Sequence, residues 1–189
     1  MEIVESLRQS LSRRQKRRLE ETNDRVRAAV LVPLYKKDGE YHVLFTRRTN
    51  TVAYHKGQTS FPGGARERGD PTLLDTALRE SWEEIGLKAN AVEVLGELDD
   101  VATVTSNFII SPFVVLLTSP YEFEINREET EEIVLIPLSA LRDKANFREE
   151  TRTLEDEVRP VYFYEYQGQV VWGATAMILK QLLDIIEEL

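Results

Sequence analysis

Apolar positions recur along the chain in two rhythms, one helical and one extended. Ile3, Val4, Leu7, Leu11 and Leu19 fall at helical spacing and predict a helix over residues 1–20, interrupted by the basic run Arg13-Arg14-Gln15-Lys16-Arg17-Arg18. Ala28 to Tyr35 and Tyr41 to Thr46 are apolar runs of strand length, and Asp38-Gly39 between them is a strong hairpin signal. His42 falls inside the second run and reads as a strand residue, not a ligand. Residues 47–64 lack helical periodicity and predict a loop with short extended pieces, ending in Phe61-Pro62-Gly63-Gly64.

The clearest helix spans Thr72 to Ile85. Leu73, Leu74, Ala77, Leu78, Ser81 and Ile85 form one apolar or small face, Asp70-Pro71 opens it with proline in the first turn, and Gly86 is the expected stop. Strand patterns follow at Ala91 to Leu98, Phe108 to Thr118 and Glu132 to Ile136. A short helix through Leu141 comes next, then a hairpin of Val161 to Tyr166 and Gln169 to Trp172. An amphipathic helix, Ala174 to Leu189, ends the pattern. Strands and helices interleave, with neither repeat nor linker, so one mixed α/β domain is expected.

Composition narrows the chemistry. The chain has 189 residues with 42% apolar positions, enough for a core. Cysteine is absent and His42 and His55 are the two histidines, which removes disulfides, thiolate nucleophiles, cysteine-ligated metals and histidine cages. A metal here would take oxygen ligands, which favours magnesium, manganese or calcium. The net charge of −9, from 33 acidic and 24 basic residues, argues against a nucleic-acid binder. No apolar run approaches the roughly 18 residues of a membrane span. The first 20 residues carry no secretory signal, so a cytoplasmic protein is expected. The basic run reads first as a solvated helix face, and second as a patch that meets a substrate phosphate.

The chemistry concentrates on one helix. Glu80, Glu83 and Glu84 are spaced three and four apart, which sets them together on one face with Cβ atoms about 5–6 Å apart. Their mutual repulsion needs an offset, and a divalent cation supplies one. An acidic helix face alone reads as solvated surface. Here it comes framed by Gly63-Gly64 upstream, Arg79 beside it and Gly86 after it.

That frame resembles the Nudix hydrolase family, whose helix pattern is matched by Arg79-Glu80-Ser81-Trp82-Glu83-Glu84-Ile85-Gly86-Leu87. Ser81 departs from the usual hydrophobic residue. The family's glutamate eight positions before the arginine falls on Pro71, so Glu67 or Asp70 is expected to take its role. Within the family the chain is similar to coenzyme A pyrophosphatases. The residues that carry this are Leu44-Phe45-Thr46-Arg47-Arg48-Thr49, His55, Gly57-Gln58, Phe61-Pro62-Gly63-Gly64, Asp70, Thr76-Ala77-Leu78-Arg79-Glu80, Thr103, Pro112-Phe113-Val114, Ile136-Pro137-Leu138 and Val171 to Ala176. The similarity runs over about residues 28–185. The implied division is an N-terminal helical extension, 1–27, and a Nudix domain, 28–189. Ala53 departs from the subgroup, which commonly has arginine there.

The resemblance implies a Nudix α/β/α sandwich, with a mixed β-sheet between helices. It implies hydrolysis of the diphosphate of coenzyme A or acyl-coenzyme A, giving 3′,5′-ADP and 4′-phosphopantetheine or its acyl derivative, with Mg2+ or Mn2+. Glu80 and Glu84 would be the main metal ligands, Glu83 a further ligand or a base acting through water, and the Gly64 carbonyl would complete the shell. Arg79 would orient a glutamate. Arg47, Arg48, His55, Gly63 and Gly64 would line the substrate, with Lys56 and Arg66 as further phosphate partners. A second base is expected outside the helix, with Glu124, Glu128 and Glu129 as candidates. Phe61 and Trp172 are core or adenine-stacking residues, with core favoured. Ala53 and the acidic charge keep open another nucleoside diphosphate substrate, such as ADP-ribose or a dinucleotide. A non-catalytic nucleotide sensor would tend to lose the helix glutamates, and a calcium-binding protein would carry a loop that is absent here. The expected partner is a small nucleotide, without nucleic acid or membrane; a homodimer is compatible with the sequence.

Overall fold

A computed structural model describes residues 2–20, 24–49, 57–104, 106–154 and 157–189. The main-sheet strands are β1 (Val26–Lys37), β2 (Glu40–Arg48), β3 (Thr59–Ser60), β4 (Gly63–Ala65), β5 (Val92–Glu97), β6 (Val101–Ala102), β7 (Phe108–Leu117) and β8 (Thr130–Pro137). A second sheet holds β9 (Phe147–Leu154), β10 (Glu157–Tyr166) and β11 (Gln169–Trp172). The α-helices are α1 (Glu2–Arg13), α2 (Leu73–Ile85), α3 (Leu138–Arg142) and α4 (Gly173–Glu187).

The main sheet is ordered β3-β2-β1-β7-β5, with β4 on β1, β6 on β7 and β8 on β2. β1 and β7 run parallel from Val26 beside Phe108 to Leu34 beside Leu116, whereas the other pairings are antiparallel. β1 is buried over eight consecutive residues because both its faces are covered. Ala29, Leu31 and Tyr35 pack with Ala77 and Ile85 of α2. Val30, Val32 and Leu34 belong to the opposite cluster, with Leu7 and Leu11 of α1 and Leu179, Leu182 and Leu183 of α4. Successive side chains on a strand point to opposite faces, so this alternation makes the sandwich: α2 on one side, α1 and α4 on the other. The mixed sheet between helices is the architecture expected.

Three expectations are corrected. The first helix stops at Arg13, not at residue 20. Arg14 pairs with Asp99, Lys16 with Glu97, and Arg18 with Glu97 and Asp100. Adjacent cations would repel along a helix, whereas an irregular segment lets each meet its own carboxylate. The same pairs engage Arg14, Lys16 and Arg18 with carboxylates of this chain, so these three cations are not held ready for a substrate phosphate. The second correction is at α2: its N-cap is Thr72, so Pro71 precedes the helix instead of opening its first turn. Trp172 is the third, being 39% exposed and stacked on Phe163 at 6.3 Å, outside the core. Phe61 is buried against Phe45, with ring centroids 4.8 Å apart. Among the described residues, no helix is long and apolar enough to cross a membrane.

Candidate metal and phosphate site

Helix α2 is fixed at both ends by its own sequence. The Thr72 side chain accepts from the Asp75 amide while the Asp75 carboxylate accepts from the Thr72 amide, a capping box. At the other end Gly86 takes the left-handed conformation, φ 67°, and its N–H reaches the Trp82 carbonyl. Ser81 is fully buried and donates to the Ala77 carbonyl at 2.7 Å, so its hydroxyl is satisfied within the helix where an apolar residue would also fit.

The short strand β4 brings Gly63 and Gly64 over the helix. Gly63 lies beside Val30 of β1, at φ 146°, and a Cβ there would sit 2.2 Å from the Ala29 carbonyl oxygen. Its N–H donates to Glu84 Oε2 at 3.2 Å. A Cβ on Gly64 would lie 2.5 Å from the Glu80 carboxylate. The missing side chain of Gly64 is therefore the space into which that carboxylate reaches.

Glu84 is buried, and burial pushes its carboxyl up to about 8 against the opposing pull of the Arg48 charge and the Gly63 amide. Glu80 is raised for the same first reason, with Arg79 acting the other way. Glu83 is exposed and meets Arg79 Nη1 at 3.2 Å. Arg79 ties the cluster together: its Nη1 also donates to Glu80 Oε1 at 2.9 Å, and its Nη2 to the Ala65 carbonyl at 3.1 Å. Its main anchor is Asp70, nine residues earlier, met by Nε at 2.9 Å and Nη2 at 3.0 Å. Asp70 also accepts from Thr76 Oγ1 and the Glu67 amide, each at 2.9 Å. The Arg79 bonds hold the Asp70 carboxyl well below the usual carboxylate range and raise Arg79 in return. Glu67 is exposed and reaches Arg79 only at 4.0 Å, so of the two loop acids it is Asp70 that holds Arg79.

This geometry agrees with comparison to known proteins. A NUDIX domain model matches residues 25–169. The chain belongs to the Nudix family. Relatives include proteins named uncharacterized Nudix hydrolase NudL. The one from Photorhabdus laumondii is 34% identical over 160 residues, covering 85% of this chain and 84% of that protein. The one from Yersinia enterocolitica is 38% identical over 156 residues, covering 82% and 78%. A MutT/nudix family protein from Enterococcus faecalis shares the fold with a TM-score of 0.63 at 14% identity, over 94% of this chain and 66% of that one.

Around the Nudix helix the expected substrate residues separate. A β-bulge against β8 falls between Arg47 and Arg48. Arg47 turns to Glu131 and Glu132 of β8, at 3.3 and 2.9 Å, whereas the charge of Arg48 acts on Glu84. Arg66 caps the carbonyls of Asp70 and Pro71. His55, Ala53 and Lys56 lie outside the described residues. Of the three acids considered as a second base, Glu129 is the one whose charge acts on both Glu80 and Glu84. Glu129 Oε1 accepts from Asn126 Nδ2 at 3.4 Å, and the Asn126 amide is bonded to the Glu84 carbonyl at 2.9 Å. Glu128 is exposed, and Glu124 packs over Gly86. Asn126 carries no motif signal; its place follows only from the fold.

Nudix hydrolases generally use divalent metal ions, and the donor set suits one. It is all oxygen, and Glu84 is a buried carboxylate that a nearby cation would keep ionised. Among the described residues, no three acidic or histidine side chains already converge as a cage. Arg79, bonded to both Glu80 and Glu83, occupies the charge-balancing role in this arrangement.

Proposed function

We propose that this Nudix hydrolase cleaves the diphosphate of coenzyme A or acyl-coenzyme A with the help of Mg2+ or Mn2+. Water adds to one phosphorus, the anhydride P–O bond breaks, and the other phosphate leaves with the electron pair. The products are 3′,5′-ADP and 4′-phosphopantetheine or its acyl form. The observation that carries the hydrolase reading is the buried Glu84 carboxylate beside Glu80, with Gly63 and Gly64 closing over them. The coenzyme A reading rests on the motif run from Leu44 through Gly64 and on Val171 to Ala176.

Glu80 and Glu84 would hold the cation together with the Gly64 carbonyl, and Glu83 would be a further ligand or a base acting through water. A bound divalent cation neutralises phosphate charge and activates water. Arg79, anchored on Asp70, orients Glu80 and does not touch substrate. Arg48 draws the phosphates toward Glu84's side of the site, and Glu129 is the acid outside the helix best placed to accept the water's proton. Gly63 sets the backbone over the helix, and by the family resemblance Arg47 and His55 would contact the substrate. The protein acts in the cytoplasm, on the Nudix unit of residues 28–189, with residues 1–27 as its helical extension.

Ala53, where the subgroup commonly has arginine, favours a second reading in which another nucleoside diphosphate is the substrate. Incubation with coenzyme A, NADH and ADP-ribose, each with magnesium or manganese, decides between them by product chromatography. Release of 3′,5′-ADP from coenzyme A is expected. Cleavage of ADP-ribose or NADH with coenzyme A intact would replace the coenzyme A reading with the second one.

A further inference from the structure

Strand β9 ends the second sheet, ordered β11-β10-β9, and among the described residues no strand pairs with its outer edge. The direction of its backbone groups follows from register. Tyr166 faces Gln169 across the two-residue turn Gln167-Gly168, whose φ angles of 48° and 80° are those of a type I′ hairpin. Tyr166 and Tyr164 therefore bond toward β11, and Phe163 and Val161 bond toward β9. Their partners Arg148 and Glu150 bond inward, so Glu149, Thr151 and Thr153 present N–H and C=O to the open edge. Pro160, opposite Thr151, points its missing N–H away from β9 and blunts the other side of the ribbon.

The ribbon is also under-supported. β11 pairs with Phe163 to Tyr166 only, so from Val158 to Tyr162 strand β10 has β9 as its one paired strand among the described residues, with Val161 buried and Tyr162 packed on the core beside Lys180 of α4. Val158 to Pro160 project beyond this support and are exposed, and a further strand on β9 would stabilise that end of the ribbon. The inward-bonding residues place an alternating charge row on one face. Arg148 pairs with Glu150 and, at 3.1 Å, with Glu165; Arg152 pairs with Glu150 at 2.6 Å.

We propose that β9 is a homodimerisation edge, pairing antiparallel with β9 of a second copy about a two-fold axis through Thr151 and joining the two three-stranded sheets. The charge row selects both the occupant and the register. Centred on Thr151, each Glu150 faces Arg152 of the other copy, and Thr151 faces itself, a favourable cross-strand pair. Centring on Glu149, Glu150 or Arg152 instead sets that charge against its own copy.

Light scattering coupled to size exclusion, at micromolar concentration, tests this directly. Wild type is expected at twice 21.8 kDa. T151P removes an outward N–H without touching a β10 bond, and should give monomer with unchanged circular dichroism. E150R and R152E keep the backbone intact; each should be monomeric alone, because like charges then face across the axis, and their equimolar mixture should dimerise. T151C adds the one cysteine to a cysteine-free chain. It should form a disulfide dimer on mild oxidation, because facing hydrogen-bonded residues stand about 5.5 Å apart at Cα. A wild-type mass of 21.8 kDa, a dimeric T151P, or E150R and R152E that stay monomeric when mixed would each overturn the proposal.

Discussion

Replacing Glu84 by glutamine should make the metal-free protein more stable while abolishing turnover. The unfolded chain releases this proton near 4.5, whereas burial holds it in the folded chain to about 8. Ionisation therefore favours unfolding across that window. The stability this group contributes is whole below pH 4.5 and is lost as pH rises through 8. At 1.36 kcal/mol per pH unit, the loss amounts to about 4 kcal/mol by pH 7.5. Glutamine does not ionise, and its oxygen can still accept from the Gly63 amide. With about 2–4 °C per kcal/mol for a chain of this size, E84Q should melt roughly 8–16 °C above wild type at pH 7.5 in EDTA. At pH 4.5 the two should nearly coincide. Adding magnesium should raise the wild-type midpoint and leave E84Q where it was, because only wild type keeps the buried carboxylate as a ligand. The assay is thermal denaturation by circular dichroism with the two proteins in parallel, so that other titrating groups cancel. An E84Q midpoint at or below wild type at pH 7.5, or a difference that does not change with pH, would refute the assignment of Glu84 as a strained ionisable ligand.

Further outcomes follow from the same contacts. G64A places a Cβ 2.5 Å from the Glu80 carboxylate, a flexible group, so the fold should survive while kcat falls by about 10–100-fold. G63A meets the Ala29 carbonyl at 2.2 Å with φ at 146°, so it should lose stability first, seen as a large fall in melting temperature. R79A strands the buried Asp70 carboxylate and should cost about 3–5 kcal/mol in urea unfolding, besides its loss of activity. D100A removes a fully buried carboxylate held by Arg18, Arg27 and Ser111, and should cost a similar about 3–5 kcal/mol in urea unfolding with kcat unchanged.

What could be read from the residues depended on whether local signals decided the outcome. Helix α2 was legible because its apolar spacing and Gly86 agree, and only its first turn shifted, to a cap at Thr72. The end of α1 was not, since helical periodicity reaches Leu19 and the stop comes from Glu97, Asp99 and Asp100, some eighty residues away. Strand β9 escaped notice because Arg148 to Thr153 has no apolar face; its partner is β10, and its side chains face solvent. At the site, the three glutamates were visible as a spacing. The choice of Asp70 over Glu67 needed the loop's three-dimensional path, and the parting of Arg47 from Arg48 needed a bulge that no dipeptide announces. The selection of Glu129 among its neighbours arose from the docking of residues 124–130 on the end of α2.

The claim on which the catalytic account rests is that Glu80 and Glu84 hold a divalent cation beneath Gly64. Anomalous diffraction at the manganese edge, from crystals of the wild-type protein soaked in Mn2+, tests it most directly. The account predicts a peak within coordination distance of the Glu80 and Glu84 carboxylates and the Gly64 carbonyl. A manganese site elsewhere, or none with the helix acids still bonded only to Arg79 and the Gly63 amide, would contradict it.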